Sequence, residues 1–296
     1  MMNNIAIIVV TYNRIELLKE VIESLKNQSF KNYQIIVVNN GSTDSTLEWL
    51  NSQNDVVTIN QDNVGGAGGF YSGIKYAVEN GYDYCWIMDD DVICSPTALE
   101  ELYAAYTSQP NIGFVCSRVL GIDGNPMNTP FADMRPSENG YSDIFDLVVS
   151  HSMVKVKNAT FVSVFFSTKI VKEVGLPYKE FFIWGDDTEY TGRISSKYPC
   201  YVACKSLVTH KRSLQANLEF MQESDPKRLK NYFYYYRNNM FIIKKTQGKK
   251  VFRQTWNSNF YFAIRRFLRG DKAHSSVLFR ALKDVLSFNP QIVTCK

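Results

Sequence analysis

Three consecutive carboxylates, Asp89-Asp90-Asp91, close the apolar run Tyr84-Cys85-Trp86-Ile87-Met88. Adjacent negative charges repel unless a cation sits among them. A divalent ion with oxygen ligands meets that need, and its open side can hold a diphosphate. The plainer reading is a solvated acidic turn that caps a helix beginning near Pro96. A second acidic cluster, Trp184-Gly185-Asp186-Asp187-Thr188-Glu189, could present a general base to a hydroxyl. Asp186, Asp187 and Glu189 would also suit the positive end of a helix, and the two uses are compatible. Gly65-Gly66-Ala67-Gly68-Gly69 offers close backbone approach to a ligand. It satisfies neither G-x-G-x-x-G nor the phosphate-loop pattern G-x-x-x-x-G-K-[ST]. His210 ends a strand-like segment, and a lone histidine is more often packed or solvated than a metal ligand.

The elements that must position these groups are legible as alternating strands and helices. Ile5-Ala6-Ile7-Ile8-Val9-Val10 has the continuous apolar character of a parallel strand buried on both faces. Leu17, Leu18, Val21, Ile22 and Leu25 then fall at helical spacing. Residues 35–38 predict a second strand, 56–59 a third and 84–88 a fourth, with a glycine-rich loop and a helix before the last. This order predicts an α/β fold with a mostly parallel central sheet. Ligands of such sheets bind at the carboxyl ends of the strands. The polar segments 11–14, 39–44, 63–69 and 89–91 all fall there, so they share one rim. That shared rim favours the metal reading of the aspartates over the solvated turn. Beyond it, residues 121–139 read as a loop, 160–167 as a strand, 171–174 as helical, and 201–204 and 207–209 as strands. Helical spacing returns at 232–245 and 256–268.

Composition bounds the classes. A chain of 296 residues with 45% hydrophobic content can bury a large core. Residues 211–296 carry 18 Lys/Arg against 5 Asp/Glu, whereas residues 1–210 carry 15 against 24. The expected organisation is therefore a catalytic domain over 1–215 and a basic, aromatic-rich helical region over 216–296. Arg265, Arg266, Arg269, Lys272, Arg280 and Lys283 lie among Phe260, Tyr261, Phe262, Phe267, Leu268, Val277, Leu278 and Phe279. A helix of that kind suits an anionic membrane surface; packing on the main domain or against another subunit is the alternative. The six cysteines show neither a disulfide framework nor zinc-ligand spacing. Nothing reads as a signal peptide or a membrane span, so the expected location is cytoplasmic, peripheral on the inner face of the membrane.

The ordered motifs resemble the inverting glycosyltransferases of family 2, which have the GT-A fold. Val9-Val10-Thr11-Tyr12-Asn13-Arg14 resembles their opening nucleotide strand, Val38-Asn39-Asn40-Gly41-Ser42-Thr43-Asp44 their second loop, and Asp89-Asp90-Asp91 their metal motif. Phe182-Ile183-Trp184-Gly185-Asp186-Asp187-Thr188-Glu189-Tyr190 is similar to their base segment, and Tyr234-Tyr235-Tyr236-Arg237-Asn238-Asn239 to a late element. Asn63-Val64-Gly65-Gly66-Ala67-Gly68-Gly69-Phe70 with the full Asp triplet most resembles the galactofuranosyltransferases. The resemblance implies Mn²⁺ or Mg²⁺ on Asp89, Asp91 and His210, and Asp187 as catalytic base. It implies an acceptor site shaped by Trp184, Asp186 and Glu189. Thr11, Tyr12, Asn13, Arg14, Asn40, Asn63, Gly65, Gly66, Gly68 and Asp90 would contact the donor. Asn39-Asn40 departs from the acidic pair of many members, which leaves the nucleotide base open.

The implied reaction moves a sugar from a nucleotide-diphosphate donor, UDP-galactofuranose first, to a hydroxyl of a glycan or lipid-linked glycan in cell-surface polysaccharide synthesis. A rhamnosyl or other hexosyl donor is the alternative. A sugar nucleotidyltransferase would want a basic glycine-rich loop near the N-terminus, and residues 11–14 contain neither glycine nor lysine. The acidic rim argues against a nucleic-acid partner.

Overall fold

The computed structural model describes residues 4–136, 140, 142–212 and 219–295; residues 137–139 of the expected loop lie outside these. Alternation along β1 (Ile5–Thr11) decides the layering. Successive strand side chains point to opposite faces. Ile5, Ile7 and Val9 therefore enter one core, and Ala6, Ile8 and Val10 enter another. Helices must cover both faces. α1 (Ile15–Lys26) brings Leu18, Val21, Ile22 and Leu25 to the first, and α2 (Thr46–Asn51) adds Leu50. β2 (Tyr33–Asn40) and β3 (Val56–Gln61) extend the sheet on one side. The second face is covered by α3 (Gly65–Glu79), through Phe70, Ile74, Ala77 and Val78.

β4 (Tyr84–Asp89) pairs in parallel with β1 on its other side. After it come β5 (Val92–Cys94), α4 (Ala98–Thr107), β6 (Val115–Gly121), α5 (Ile144–His151) and β7 (Met153–Lys155). Then β8 (Val164–Ser167), α6 (Thr168–Val174), α7 (Asp186–Ser195) and β9 (Tyr201–His210) complete this part. The sheet order is β3-β2-β1-β4-β8-β6-β9-β5, with β7 paired to β9. It is mostly parallel, as expected; β5, β7 and β8 run against their neighbours. The two runs expected at 201–204 and 207–209 form one strand, with a register shift opposite Ser117 and Arg118.

The glycine run is not the expected loop: Gly65–Gly69 form the first turns of α3. Glycine costs a helix roughly 1 kcal/mol relative to alanine, so tertiary contact must override propensity here. A Cβ on Gly69 would stand 2.4 Å from Val10 Cγ1, and one on Gly73 would stand 2.4 Å from Ile8 Cγ2. The absent side chains let the helix lie directly on β1.

The C-terminal helices α8 (Pro226–Thr246), α9 (Gly248–Leu268) and α10 (Lys272–Ser287) share a core with Ala67, Tyr178 and Phe181 of the α/β part. The basic, aromatic face expected here divides. Val277 and Leu278 are buried, and Phe260, Phe262 and Phe279 pack against the same core. Tyr261, Phe267 and Leu268 remain exposed beside Arg265 and Arg269. Among the described residues, no helix is long and apolar enough to cross a membrane.

Gly73→Ala should lower stability in urea by about 1–3 kcal/mol through overpacking. Gly192→Ala in α7, where a Cβ meets nothing within 4 Å, should raise it by about 0.5–1 kcal/mol. Equal responses at the two sites would contradict the close α3–β1 packing.

Candidate active site

β4 ends by delivering Asp89, and the chain turns through Asp90 and Asp91 into β5. β5 runs antiparallel to β9 with Val92 opposite His210, and Lys211 N donates to Asp91 O at 2.7 Å. This short ladder brings a histidine from far along the chain to the aspartates. One ligand atom each of Asp89, Asp91 and His210 lies within 4.8 Å of the others.

The donor set fits a divalent ion. Nδ1 of His210 lies 2.9 Å from Asn128 Oδ1. Oδ1 only accepts, so this contact puts the ring proton on Nδ1 and leaves a lone pair on Nε2 of the neutral imidazole. Nε2 stands 3.1 Å from Asp91 Oδ1, a buried oxygen that accepts no well-aligned hydrogen bond. Two acceptors facing one another, with Asp89 alongside, form a nest that lacks only a positive charge. Burial raises the pKa of Asp89, and the charges of Asp91 and Asp90 push it further, well above the ordinary carboxylate value. Burial acts the same way on Asp91; where Nε2 of His210 carries a proton instead of a lone pair, that proton and Arg14 outweigh burial and hold the carboxyl below the usual range.

Arg14 supplies a cation that the sequence reading assigned to the donor. Its Nη1 lies 3.1 Å from Asp90 Oδ1 and 2.9 Å from Asp91 Oδ2. Asp90 also accepts from Thr11 Oγ1 at 2.8 Å. The triplet is thus divided: Asp90 is tied to β1 and Arg14, Asp89 is turned to His210, and Asp91 is shared between them.

The opposite wall begins with a backbone in rarely populated conformations. Phe182 and Trp184 have φ of 65° and 64°, and Gly185 has 89°. α7 starts immediately afterwards, so Asp186 and Asp187 occupy its first turn, at the positive end of the helix. Asp187 Oδ1 accepts from Thr188 N at 2.6 Å and from Thr188 Oγ1 at 3.2 Å. Burial nevertheless raises the pKa of Asp187. Burial and the charge of Asp187 push Asp186 up to about 8.

Both walls face one cleft of about 540 Å³. Of the expected residues, it is lined by Arg14, Gly66, Asp89, Asp90, Asp91, Trp184, Asp186, Asp187 and His210. Glu189 does not line it: Arg193 Nε and Nη2 hold its carboxylate at 3.0 and 2.8 Å. Several expected donor contacts are also occupied within the protein. Thr11 is buried on Asp90, and Gly68 is packed on Val64. Asn40, 2% exposed, donates to Gly65 O and accepts from Gln61 Nε2 and Val64 N. Gly65 abuts Phe182, where a Cβ would stand 2.1 Å from the carbonyl oxygen. Tyr12, Asn13 and Asn63 remain exposed on the adjoining rim; Asn13 Oδ1 accepts from Thr43 N at 2.7 Å.

The cleft also contains residues that the sequence reading did not assign. Arg212 lines it two positions after His210, where a basic residue beside an acidic rim was a usable signal. Tyr235 and Asn239 line it from the motif on α8, while Asn128, Thr160, Phe161 and Val162 come from segments with no chemical pattern. Added Mn²⁺ should raise the melting temperature of the protein by stabilising the native state. His210→Ala should abolish most of that rise; an undiminished rise would exclude the histidine as a ligand.

The profile of the family described as "Glycosyl transferase family 2" matches residues 6–155. The galactofuranosyltransferase GlfT1 of Mycolicibacterium smegmatis is 24% identical over 283 residues, covering 88% of this chain and 89% of that protein. The abequosyltransferase RfbV of Salmonella typhimurium is 35% identical over 116 residues, 36% of this chain and 34% of that one. Among solved structures, S. aureus TarS 1–349 in complex with UDP-GlcNAc has a TM-score of 0.58 at 15% identity, covering 96% of this chain and 81% of that 1–349 chain. That likeness shows the GT-A fold. The matched profile spans the strands that build the carboxylate rim and half of the sequence, and on that match the chain belongs to glycosyl transferase family 2.

Proposed function

We propose that the protein is an inverting, metal-dependent transferase that moves a sugar from a nucleotide diphosphate, UDP-galactofuranose first, to a hydroxyl of a glycan or lipid-linked glycan in cell-surface polysaccharide synthesis. The observation that carries this reading is the one cleft with a cation-demanding acidic nest on one wall and two carboxyls, Asp186 buried and Asp187 half-buried, on the other. Asp89, Asp91 and His210 would hold the ion. When bound, it supplies Lewis-acid charge to a diphosphate. Arg14 and Arg212 offer further positive charge on the same side, and Asn13, Tyr12 and Asn63 are exposed on the rim to meet a nucleotide. Gly66, with open space where its Cβ would be, leaves room in the cleft beside them.

Asp187 acts as the base. It takes the proton of the acceptor hydroxyl while that oxygen bonds to the anomeric carbon. The carbon–oxygen bond to the diphosphate breaks, and its electron pair leaves with the nucleoside diphosphate. One displacement inverts the centre. Asp186, pushed up to about 8 by burial and the charge of Asp187, holds its proton more tightly than an ordinary carboxyl. Trp184 contributes an apolar wall to the acceptor side. Galactofuranose is supported by the near full-length likeness to a protein named for that transfer. The shorter likeness to an abequosyltransferase keeps another hexosyl donor as the second reading. Tyr261, Phe267, Leu268, Arg265 and Arg269 support contact of the 216–296 region with an anionic membrane.

Nucleoside diphosphate release across a panel of nucleotide sugars should be largest with UDP-galactofuranose and should require Mn²⁺ or Mg²⁺. Release with none of the donors would refute the reading. Asp187→Asn should lower kcat by about 10²–10⁴-fold with donor affinity retained. In the wild type, kcat/KM should fall on acidification through the raised pKa of Asp187, because only the ionised form accepts a proton. The midpoint should lie above the ordinary value of about 4. An acid limb that persists unchanged in Asp187→Asn would assign it to another group.

A further inference from the structure

The motif Tyr234-Tyr235-Tyr236-Arg237-Asn238-Asn239 lies on α8, and two of its residues are unusual for a helix packed in a bundle. Arg237 is 6% exposed and Asn238 is fully buried. A buried guanidinium and a buried amide must find partners, and theirs are backbone carbonyls of the turn that leads into α7. Nδ2 of Asn238 donates to Phe181 O at 3.0 Å, Ile183 O at 3.2 Å and Trp184 O at 2.7 Å. Arg237 Nη2 donates to Glu180 O at 2.7 Å. The orientation of the amide is fixed in turn: Arg237 Nε and Nη2 lie 3.0 and 2.9 Å from Asn238 Oδ1. The guanidinium lies 3.9 Å from the centre of the Phe288 ring, and Nη1 reaches Asp284 Oδ2 at 3.5 Å.

These bonds fall on the stretch whose backbone is least self-sustaining. Phe182 and Trp184 hold positive φ without being glycine, a state that persists only where surroundings over-determine it. Its other side is held by α3, where Ala67 N donates to Phe182 O at 3.1 Å. One residue separates Trp184 from Asp186, and the direction of the turn sets where the first turn of α7 points.

We propose that Arg237 and Asn238 are positioning residues for the base, holding the 180–185 turn in the conformation that presents Asp187 to the cleft. The proposal rests on the reading of Asp187 given above. Neither side chain touches a reacting atom; each acts through backbone carbonyls. Asn238→Asp keeps the shape and the pairing with Arg237 but removes the donors to the turn.

With the nucleotide sugar that the wild type turns over fastest, Asn238→Asp should lower kcat by about 10²-fold, the scale of a misplacement near 1 Å. Donor KM and nucleoside diphosphate affinity should be retained, whereas the melting temperature should fall, because a buried acceptor then faces three carbonyl oxygens. In an Asp187→Asn background the same substitution should cost nothing further, since a residue acting through the base has no base left to position. An unchanged kcat would overturn the proposal. So would a loss matched by weaker donor binding, or a full additional loss on top of Asp187→Asn. If Asn238→Asp does not fold, Arg237→Lys, which keeps the charge over Phe288 and loses the two-armed hold on Asn238, is judged by the same criteria. Full turnover in Asp187→Asn alone would remove the base and the proposal together. A loss there, with Asn238→Asp silent, would sink the proposal alone.

Discussion

The mutual repulsion of Asp89, Asp90 and Asp91 is the constraint on which the rest of the site depends. A buried strand drives three carboxyl groups to one point, where low polarity strengthens every charge–charge interaction. The protein answers with geometry. Thr11 and Arg14, from the end of β1, occupy Asp90 and part of Asp91. The antiparallel pairing of β5 with β9 places His210 on the remaining side. What is left is an acceptor-lined nest that calls for a cation. The acidic end of the cleft is therefore specified by sheet register.

The two walls of the cleft are also connected through the backbone. Asn40, at the end of β2, is spent on Gly65 O, and the first turn of α3 takes its shape from that contact. The same turn bonds Phe182 O and leaves no room for a side chain on Gly65. Phe182 belongs to the turn that leads to Asp186 and Asp187. Asn40 and Gly65, expected to contact the donor, thus also connect the end of β2 to the turn that precedes Asp187.

Much of this was legible in the sequence because burial leaves a clear pattern. Three of the four parallel strands read as uninterrupted apolar runs, and the rule that ligands bind at their carboxyl ends brings segments 11–14, 39–44, 63–69 and 89–91 together. The glycine run reads as a loop because helix propensity argues against four glycines there; contact of Gly65 with Phe182 and of Gly69 with Val10 explains the helix. β5 carries no readable period over its three residues, yet its pairing is what brings His210 to the aspartates. Glu189 looked like part of the acidic cluster until Arg193, one helical turn on, claimed it. The basic C-terminal helices read as one aromatic face, but most of those rings are consumed by packing. The roles of Arg237 and Asn238 depend on carbonyls some 55 residues away, and no local pattern could show them.

The central claim is that one ion held by Asp89, Asp91 and His210 meets the diphosphate of the donor. Anomalous diffraction from crystals grown with Mn²⁺ and UDP tests it most directly. The account predicts a single strong manganese peak at ligand distance, about 2.0–2.3 Å, from both carboxylates and from Nε2 of His210, with phosphate oxygens on its open side. A peak elsewhere in the cleft, or nucleotide bound at full occupancy with no manganese against His210, would contradict it.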